Sequence, residues 1–200
     1  VPVCADPALL EVMEERRVSA NGNTYQVPRP FMVVATQNPV EMDGTFRLPE
    51  AQLDRFLMCI ELGYPDPKAE RTLLEGHDRR ELLAAIKPKM TAADLVDAQA
   101  SLKLIRTAPA LLDYVQNLLT YSRRSPLFAE GLSPRAGLAL LQAARAWAML
   151  DGRNHVLPDD VQAVLTAVAG HRLKPAKGAA TSHRARAEMV AELSKSVGVP

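Results

Sequence analysis

The first side chain suited to chemistry is the amide of Asn38, which follows a short apolar run at residues 31–35. That run has no polar alternation, as expected of a strand buried on both faces of a parallel sheet. Ligands of such sheets bind beyond the carboxyl ends of the strands, where an amide can contact both a phosphate oxygen and an attacking water. The alternative is structural, since Asn38 can also cap the turn before Pro39.

The second such side chain is the guanidinium of Arg55, which lies directly before another apolar run at residues 56–60. This run predicts a second buried strand, reached through a short helix over residues 49–54. A guanidinium is permanently charged and binds two oxygens at once, so it suits a phosphoryl group in transfer, including one held by a neighbouring subunit. Position alone favours a solvated edge residue or one half of a salt bridge.

The elements that must position these residues change in type along the chain. Residues 7–17 predict a helix, and Asn21-Gly22 between two β-prone stretches predicts a hairpin over residues 17–27. A glycine and two prolines at residues 63–67 indicate a domain junction, where the net charge changes from acidic to basic. Beyond the junction the sequence predicts only helices, at about residues 68–75, 91–102, 108–121, 133–150 and 158–170.

The predicted fold class is therefore α/β followed by all-α. Its four parts are an α/β layer, a linker with a connecting helix, a helical domain, and a C-terminal tail or helix, at residues 1–62, 63–90, 91–175 and 176–200.

Composition excludes several classes of protein. The 200 residues carry a formal net charge of +1, whereas nucleic-acid and membrane-surface binders rely on a large basic excess. Cys4 and Cys59 form no CxxC pair, which indicates a reducing compartment without a disulfide scaffold. Neither a signal sequence nor an apolar run near the roughly 20 residues of a spanning helix is present, so we expect a cytoplasmic protein without membrane insertion.

Three other charged clusters have structural interpretations. Asp159-Asp160 lies in a predicted first helical turn, where acids favour the helix dipole, so the pair is predicted to cap that helix. The four histidines show no ligand spacing, so no metal site is predicted. Residues 171–186 carry five basic residues without an acid or an aromatic residue, which predicts a solvated or partner-facing tail rather than a binder of single-stranded nucleic acid.

Two strings of residues together resemble the MoxR family of AAA+ ATPases. They are ATQNPVE at residues 35–41 and GTFRLPEAQLDRF at residues 44–56. Residues 9–16 are similar to the helix after the family's Mg²⁺-binding strand, and SPRA at residues 133–136 is similar to the segment that carries its second sensor. The resemblance extends from about Pro7 to Pro200. It implies that residues 1–62 are the C-terminal half of the nucleotide-binding core and residues 91–175 the helical lid.

The resemblance also implies roles for three residues. Asn38 would be sensor 1, which positions the hydrolytic water near the γ-phosphate of ATP, and Arg55 would be an arginine finger that acts in trans on the next subunit's ATP. Arg135 would be sensor 2, which the lid carries to the phosphates. Without the resemblance, Arg135 is a surface charge that the dipole of its predicted helix slightly disfavours.

The family further implies ATP and Mg²⁺ as cofactors, a homo-oligomeric hexameric ring, and a chaperone-like remodelling of client proteins that often aids metal-cofactor insertion. The sequence contains neither the GxxxxGK[ST] loop that cradles phosphates nor an apolar strand ending in Asp-Glu. We therefore expect the C-terminal part of a longer ATPase, inactive on its own. Residues 1–6 depart from the family pattern.

Two alternatives stay open, a non-catalytic helical adaptor without a phosphate loop and a magnesium-chelatase-like AAA+ subunit. The hairpin over residues 17–27 is either a substrate-contacting pore element or a simple connection.

Overall fold

The structure, a computed structural model, describes residues 7–36, 50–76, 83–176 and 183–200. The elements before residue 76 are α1 Pro7–Glu15, β1 Arg17–Ala20, β2 Asn23–Gln26, α2 Glu50–Leu53 and α3 Pro67–Leu74. The later elements are α4 Ala92–Ser101, α5 Pro109–Arg124, β3 Phe128–Glu130, α6 Pro134–Leu150, α7 Pro158–Ala169, β4 Lys174–Pro175 and α8 His183–Ser196. Every helix in these described ranges is too short or too polar to span a lipid bilayer.

The predicted hairpin is confirmed. Strands β1 and β2 pair antiparallel from Arg17 opposite Gln26 to Ala20 opposite Asn23. Asn21 and Gly22 have φ angles of 52° and 77°, as a two-residue turn of type I′ requires. Ser19 donates hydrogen bonds to both carboxylate oxygens of Glu11, from its backbone N–H and its hydroxyl, so α1 is tied to the hairpin.

The two apolar runs are not strands in this structure, so that prediction is wrong. Residues 31–35 and 56–60 have no strand pairing, and several of their side chains are exposed, including Met32 at 80% and Ile60 at 73%. A parallel strand requires hydrogen-bonded neighbours and helices over both faces, and the described residues supply neither at these runs. The second run instead contacts the helical half of the chain, which extends from Ile105 onward. There the Cys59 N–H donates to the Ala167 carbonyl over 2.8 Å.

The predicted helices beyond the junction are confirmed, but the prediction of helices only is wrong, because β3 and β4 pair antiparallel there. Helices α5 to α8 enclose one hydrophobic core. Helix α6 packs between α5 and α7, and α8 packs against α5 and α7. Five large side chains are at most 1% exposed, namely Tyr114, Leu118, Leu140, Leu165 and Leu193. Gly137 of α6 permits a close approach to α5, because a Cβ there would lie 2.8 Å from Leu119 Cδ1. Burial of each leucine contributes about 1.5–3 kcal/mol of transfer free energy.

The predicted solvated tail at residues 171–186 is corrected in part. Arg172 has a side chain only 4% exposed, because it ion-pairs with Asp54 of the first half. Farther along the chain, α8 places Val190, Leu193 and Val197 in the core at helical spacing. The charge count of residues 171–186 did not reveal the ion pair of Arg172, because its partner Asp54 lies 118 residues away in the sequence.

Candidate functional site

The structure brings Arg55 and Arg135 together on one carboxylate oxygen. Arg55 Nε donates to Glu14 Oε1 over 2.7 Å, and Arg135 Nη2 donates to the same oxygen over 3.2 Å. Glu14 comes from α1, Arg55 from the turn after α2, and Arg135 from the first turn of α6. The two arginines lie 41 and 121 residues from Glu14, so only the tertiary fold brings them together.

The three charged groups border an open cleft. Its volume is about 500 Å³, and Met13, Glu14, Arg55 and Arg135 line it. Hydrogen bonds from Arg55 and then from Arg135 lower the pKa of the Glu14 carboxyl below its usual range. Water reaches the group, since the Arg135, Glu14 and Arg55 side chains are 48%, 41% and 23% exposed. A ligand from solution can therefore reach the same cations.

Local structure fixes the backbone position from which each arginine side chain extends. The Arg55 N–H closes a turn onto the Gln52 carbonyl over 3.1 Å, and Arg55 Nη1 donates to the Ala51 carbonyl. Ser133 caps α6, accepting from the Ala136 N–H over 3.1 Å, and Pro134 occupies the first turn. This cap-and-proline start holds Arg135 two residues later at the positive end of the helix dipole, where a cation is disfavoured. The Glu14 carboxylate offsets that cost.

Asp54 joins the two halves of the chain one residue before Arg55. Its Oδ1 accepts from Arg172 Nε over 2.8 Å, and the Ser133 hydroxyl lies 3.0 and 3.2 Å from its two carboxylate oxygens. Arg172 Nη2 also donates to the Asp54 and Phe56 carbonyls, over 2.9 and 2.6 Å. The residue before Arg55 and the cap of the Arg135 helix therefore share one hydrogen-bonded junction.

His171 lies beside that junction and is largely buried. Its Nε2 is 3.3 Å from the Phe56 carbonyl, and its Nδ1 has no partner among the described residues. Burial, reinforced by the charge of Arg172, lowers the pKa of the imidazole to about 4. A neutral ring with its proton on Nε2 fits this contact.

The carboxylate pair at residues 159–160 has the predicted capping role at Asp160. Asp160 accepts from the Leu157 N–H over 2.7 Å and receives two hydrogen bonds from Arg153. Burial raises the pKa of the Asp160 carboxyl, but these hydrogen bonds outweigh burial and lower it overall. Asp160 is 1% exposed, so the capping acid is also half of a buried ion pair that the sequence did not predict.

The predicted site residues have different outcomes. Arg55 and Arg135 lie together, whereas Asn38 lies outside the described residues, as do Cys4 and His77. The sequence predicted the helix that contains Glu14 but gave no role to Glu14 itself. No signal in the sequence paired Glu14 with these arginines, because their contact depends on residues 41 and 121 positions away.

The donor set of the site fits a phosphate better than a metal ion. Two guanidiniums offer N–H donors in the fork geometry that phosphoryl oxygens accept. Across the described ranges, no group of three or more His, Cys, Asp or Glu side chains could hold a metal ion. Glu14, the carboxylate at the cleft, already accepts two hydrogen bonds on one oxygen. The site therefore fits the phosphates of ATP, while Mg²⁺ would need ligands from elsewhere.

Comparison with known proteins defines the class first. Residues 2–58 match the ATPase family associated with various cellular activities (AAA), and residues 120–194 match the AAA lid domain. A crystal structure of a candidate ATPase from Cytophaga hutchinsonii superposes with a TM-score of 0.81 at 28% identity, covering 97% of this chain and 62% of that one. The fold is that of an AAA+ ATPase, mixed α/β with predominantly helical content.

Two relatives narrow the class. Chaperone MoxR1 of Mycobacterium tuberculosis is 40% identical over 181 residues, which cover 86% of this chain and 48% of that protein. The uncharacterized protein YeaC of Bacillus subtilis is 39% identical over 166 residues, 83% of this chain and 52% of that protein. The chain belongs to the MoxR family of AAA+ ATPases. It spans about half the length of these curated relatives.

Proposed function

We propose that this chain supplies two of the phosphate-contacting arginines of a MoxR-type ATPase that hydrolyses ATP. The observation that carries the proposal is the convergence of Arg55 and Arg135 on one carboxylate at an open cleft. Guanidiniums bind phosphoryl oxygens with short, charge-assisted hydrogen bonds. Family membership gives this pair its ligand, since AAA+ proteins act on ATP.

Each residue has a distinct proposed task. Arg55 is the arginine finger, which stabilises charge on the γ-phosphoryl oxygens of ATP held by a neighbouring subunit. Arg135 is sensor 2, which adds a second charge and links phosphate contact to the position of the lid. Their shared carboxylate favours one nucleotide for both residues, at an interface between subunits. Asn38 is sensor 1, which orients the attacking water.

The remaining parts of the nucleotide site are proposed to lie in the portion of the protein that this chain does not contain. The sequence has no GxxxxGK[ST] loop to cradle the phosphates and no Asp-Glu strand end to hold Mg²⁺. When bound, ATP supplies the phosphoryl group that is transferred to water. The chain alone lacks most of the binding energy for it, so we expect no steady hydrolysis by the purified 200 residues.

The larger assembly is proposed as a hexameric ring that remodels client proteins. An arginine finger acts on a neighbour's nucleotide, so a closed ring completes every site. One relative is named a chaperone, which supports remodelling as the task, and metal-cofactor insertion is the proposed use of that task. The free, exposed thiol of Cys59 suits a reducing cytoplasm.

A mixing experiment tests the proposal. In the complete ATPase, we expect Arg55→Ala and Arg135→Ala each to abolish most ATP hydrolysis, because each removes a charge from the transition state. Arg124→Ala, at an exposed arginine of α5, is the control and should keep full activity. Mixing Arg55→Ala with a variant of the phosphate-loop lysine should restore activity, since some interfaces then pair an intact finger with an intact loop. Full activity of Arg55→Ala, or no recovery on mixing, would contradict the in-trans role.

A further inference from the structure

The contact between Glu14 and the two arginines poses an electrostatic question. Arg55 and Arg135 both lie within hydrogen-bond distance of one oxygen, at 2.7 and 3.2 Å, although both carry permanent positive charge. Like charges this close repel, and a single carboxylate between them replaces the repulsion with two attractions. The approach of the guanidiniums therefore depends on Glu14.

We propose that Glu14 is a positioning residue that holds Arg55 and Arg135 as one unit, so that a single phosphate meets both guanidiniums already aligned. This inference rests on the proposed function of the two arginines at ATP. Glu14 takes part in no proton transfer in this role. It acts only through the two cations it orients.

The contacts of the guanidiniums show how the alignment is made. Arg55 is held at two points, with Nε on Glu14 and Nη1 on the Ala51 carbonyl. Arg135 is held by Nη2 on the same Glu14 oxygen. Arg55 Nη2 and Arg135 Nε and Nη1 make no hydrogen bond within the described ranges, so their N–H groups are available to a phosphate. Both guanidiniums line the cleft from which a phosphate would approach.

The other acids of α1 have different partners, which separates Glu14 from its neighbours. Glu11 accepts from Ser19 and pairs with Arg17, and Glu15 also pairs with Arg17. Glu15 is adjacent in sequence, and its side chain is 49% exposed against 41% for Glu14. Glu15→Gln is therefore a matched control, since it removes the same charge from the same helix.

The first test observes the arginines directly in the 200-residue chain. In ¹⁵N-labelled protein, the Nε–Hε signal of Arg55 should exchange with water about tenfold faster in Glu14→Gln, because the charge-assisted hydrogen bond is weakened. The same signal should be unchanged in Glu15→Gln. Backbone amide spectra of both variants should match the wild type, which confirms folding. Equal exchange rates in Glu14→Gln and wild type would overturn the proposal.

The second test uses inorganic tripolyphosphate as the probe. In wild type, the Arg55 and Arg135 Nε–Hε signals should shift with one common midpoint, as expected of a single unit. In Glu14→Gln the two midpoints should separate, whereas Glu15→Gln should keep them together. Separate midpoints in the wild type, or a common midpoint retained in Glu14→Gln, would contradict the positioning role. The comparison uses midpoints because removal of any negative charge raises anion affinity by itself.

The third test separates this inference from the proposed function. In the complete ATPase, Glu14→Gln should lower kcat about tenfold with little change in KM for ATP, because misplaced guanidiniums stabilise the transition state poorly. Added to Arg135→Ala, it should cost little more, since the unit is already broken. Normal activity in Arg55→Ala and Arg135→Ala would overturn the proposed function. Loss of activity in those variants with a fully active Glu14→Gln would overturn the positioning role alone.

Discussion

The two halves of the chain are stabilised by different interactions. From Ile105 onward, a single cluster of buried apolar side chains forms the core of the helical half. Before Ile105, Val12 is the one buried apolar side chain among the residues whose burial the structure describes. That first half is joined to the rest by charged and polar contacts at Glu14 and Asp54. The helical half is a scaffold, and the half that carries Arg55 is positioned by its contacts with it.

The largest expected effect on the free energy of unfolding comes from a substitution in the core of the helical half. Leu118→Ala should lower the free energy of unfolding by about 3–5 kcal/mol, because Leu118 is fully buried in the core. Urea denaturation followed by circular dichroism measures the change. The control is Leu112→Ala on the same helix, where a side chain 44% exposed should cost much less. Equal losses in both variants would contradict the placement of the core.

The next effect concerns His171 at the contact between the halves. The pKa of its imidazole in the folded state is about 4, below the ordinary value of about 6.5, so the unfolded chain binds a proton first as the pH falls. Stability present above pH 6.5 is therefore lost progressively towards pH 4, by about 3 kcal/mol at most. Urea titrations at intervals between pH 7 and 5 measure the slope, where the carboxyl groups contribute least. His171→Asn should flatten it, and an unchanged slope in that variant would refute the assignment.

A smaller effect separates the halves without unfolding the scaffold. Asp54→Asn weakens the contact with Arg172, which should lower the free energy of local opening around α1 and α2 by about 2 kcal/mol. Hydrogen exchange followed residue by residue should show faster exchange there and unchanged protection in α5 to α7. Uniformly faster exchange throughout the chain would mean that the two halves unfold together.

The smallest effect sharpens the comparison, because Ser133 belongs to both regions. Its hydroxyl caps α6 and also contacts Asp54. Ser133→Ala should cost about 1 kcal/mol in urea denaturation, as expected for loss of an N-cap. Ser133→Thr keeps the hydroxyl and should recover most of that loss. A threonine variant as unstable as the alanine variant would show that the hydroxyl is not the stabilising group.

Local sequence signals predicted the local structure of this chain. Asn21-Gly22 specified the hairpin turn, and Ser133-Pro134 specified the start of α6, because each feature depends on a few adjacent residues. The runs at residues 31–35 and 56–60 were wrongly predicted as strands, since a strand depends on a neighbour that no local pattern reveals. The domain boundaries proposed at residues 62, 90 and 175 stay predictions.

The sequence predicted the two arginines of the candidate site but not their contact with each other's partner, Glu14. Arg55 was singled out from its place before an apolar run, and the family resemblance then gave roles to both Arg55 and Arg135. The unfavourable place of Arg135 in a helix dipole was a further hint. Their convergence depends on contacts across 41 and 121 residues of sequence, which periodicity and spacing do not encode. The burial of Arg172 was missed for the same reason, because Asp54 is 118 residues away. The proposed role of Asn38 stays a prediction.

The junction at Ser133 gives α6 the geometry of a lever. The helix has 17 residues and is therefore about 25 Å long, with its fulcrum beside Asp54 and Arg135 near the short arm. Because α6 is packed between α5 and α7, a rotation of about 10° about that fulcrum would carry the helical half with it and displace the far end of α6 by roughly 4 Å. Trp147 and Leu150, 49% and 81% exposed, lie at that far end. A sub-ångström displacement at the Arg135 end of α6 would thus accompany a displacement of several ångströms at Trp147 and Leu150.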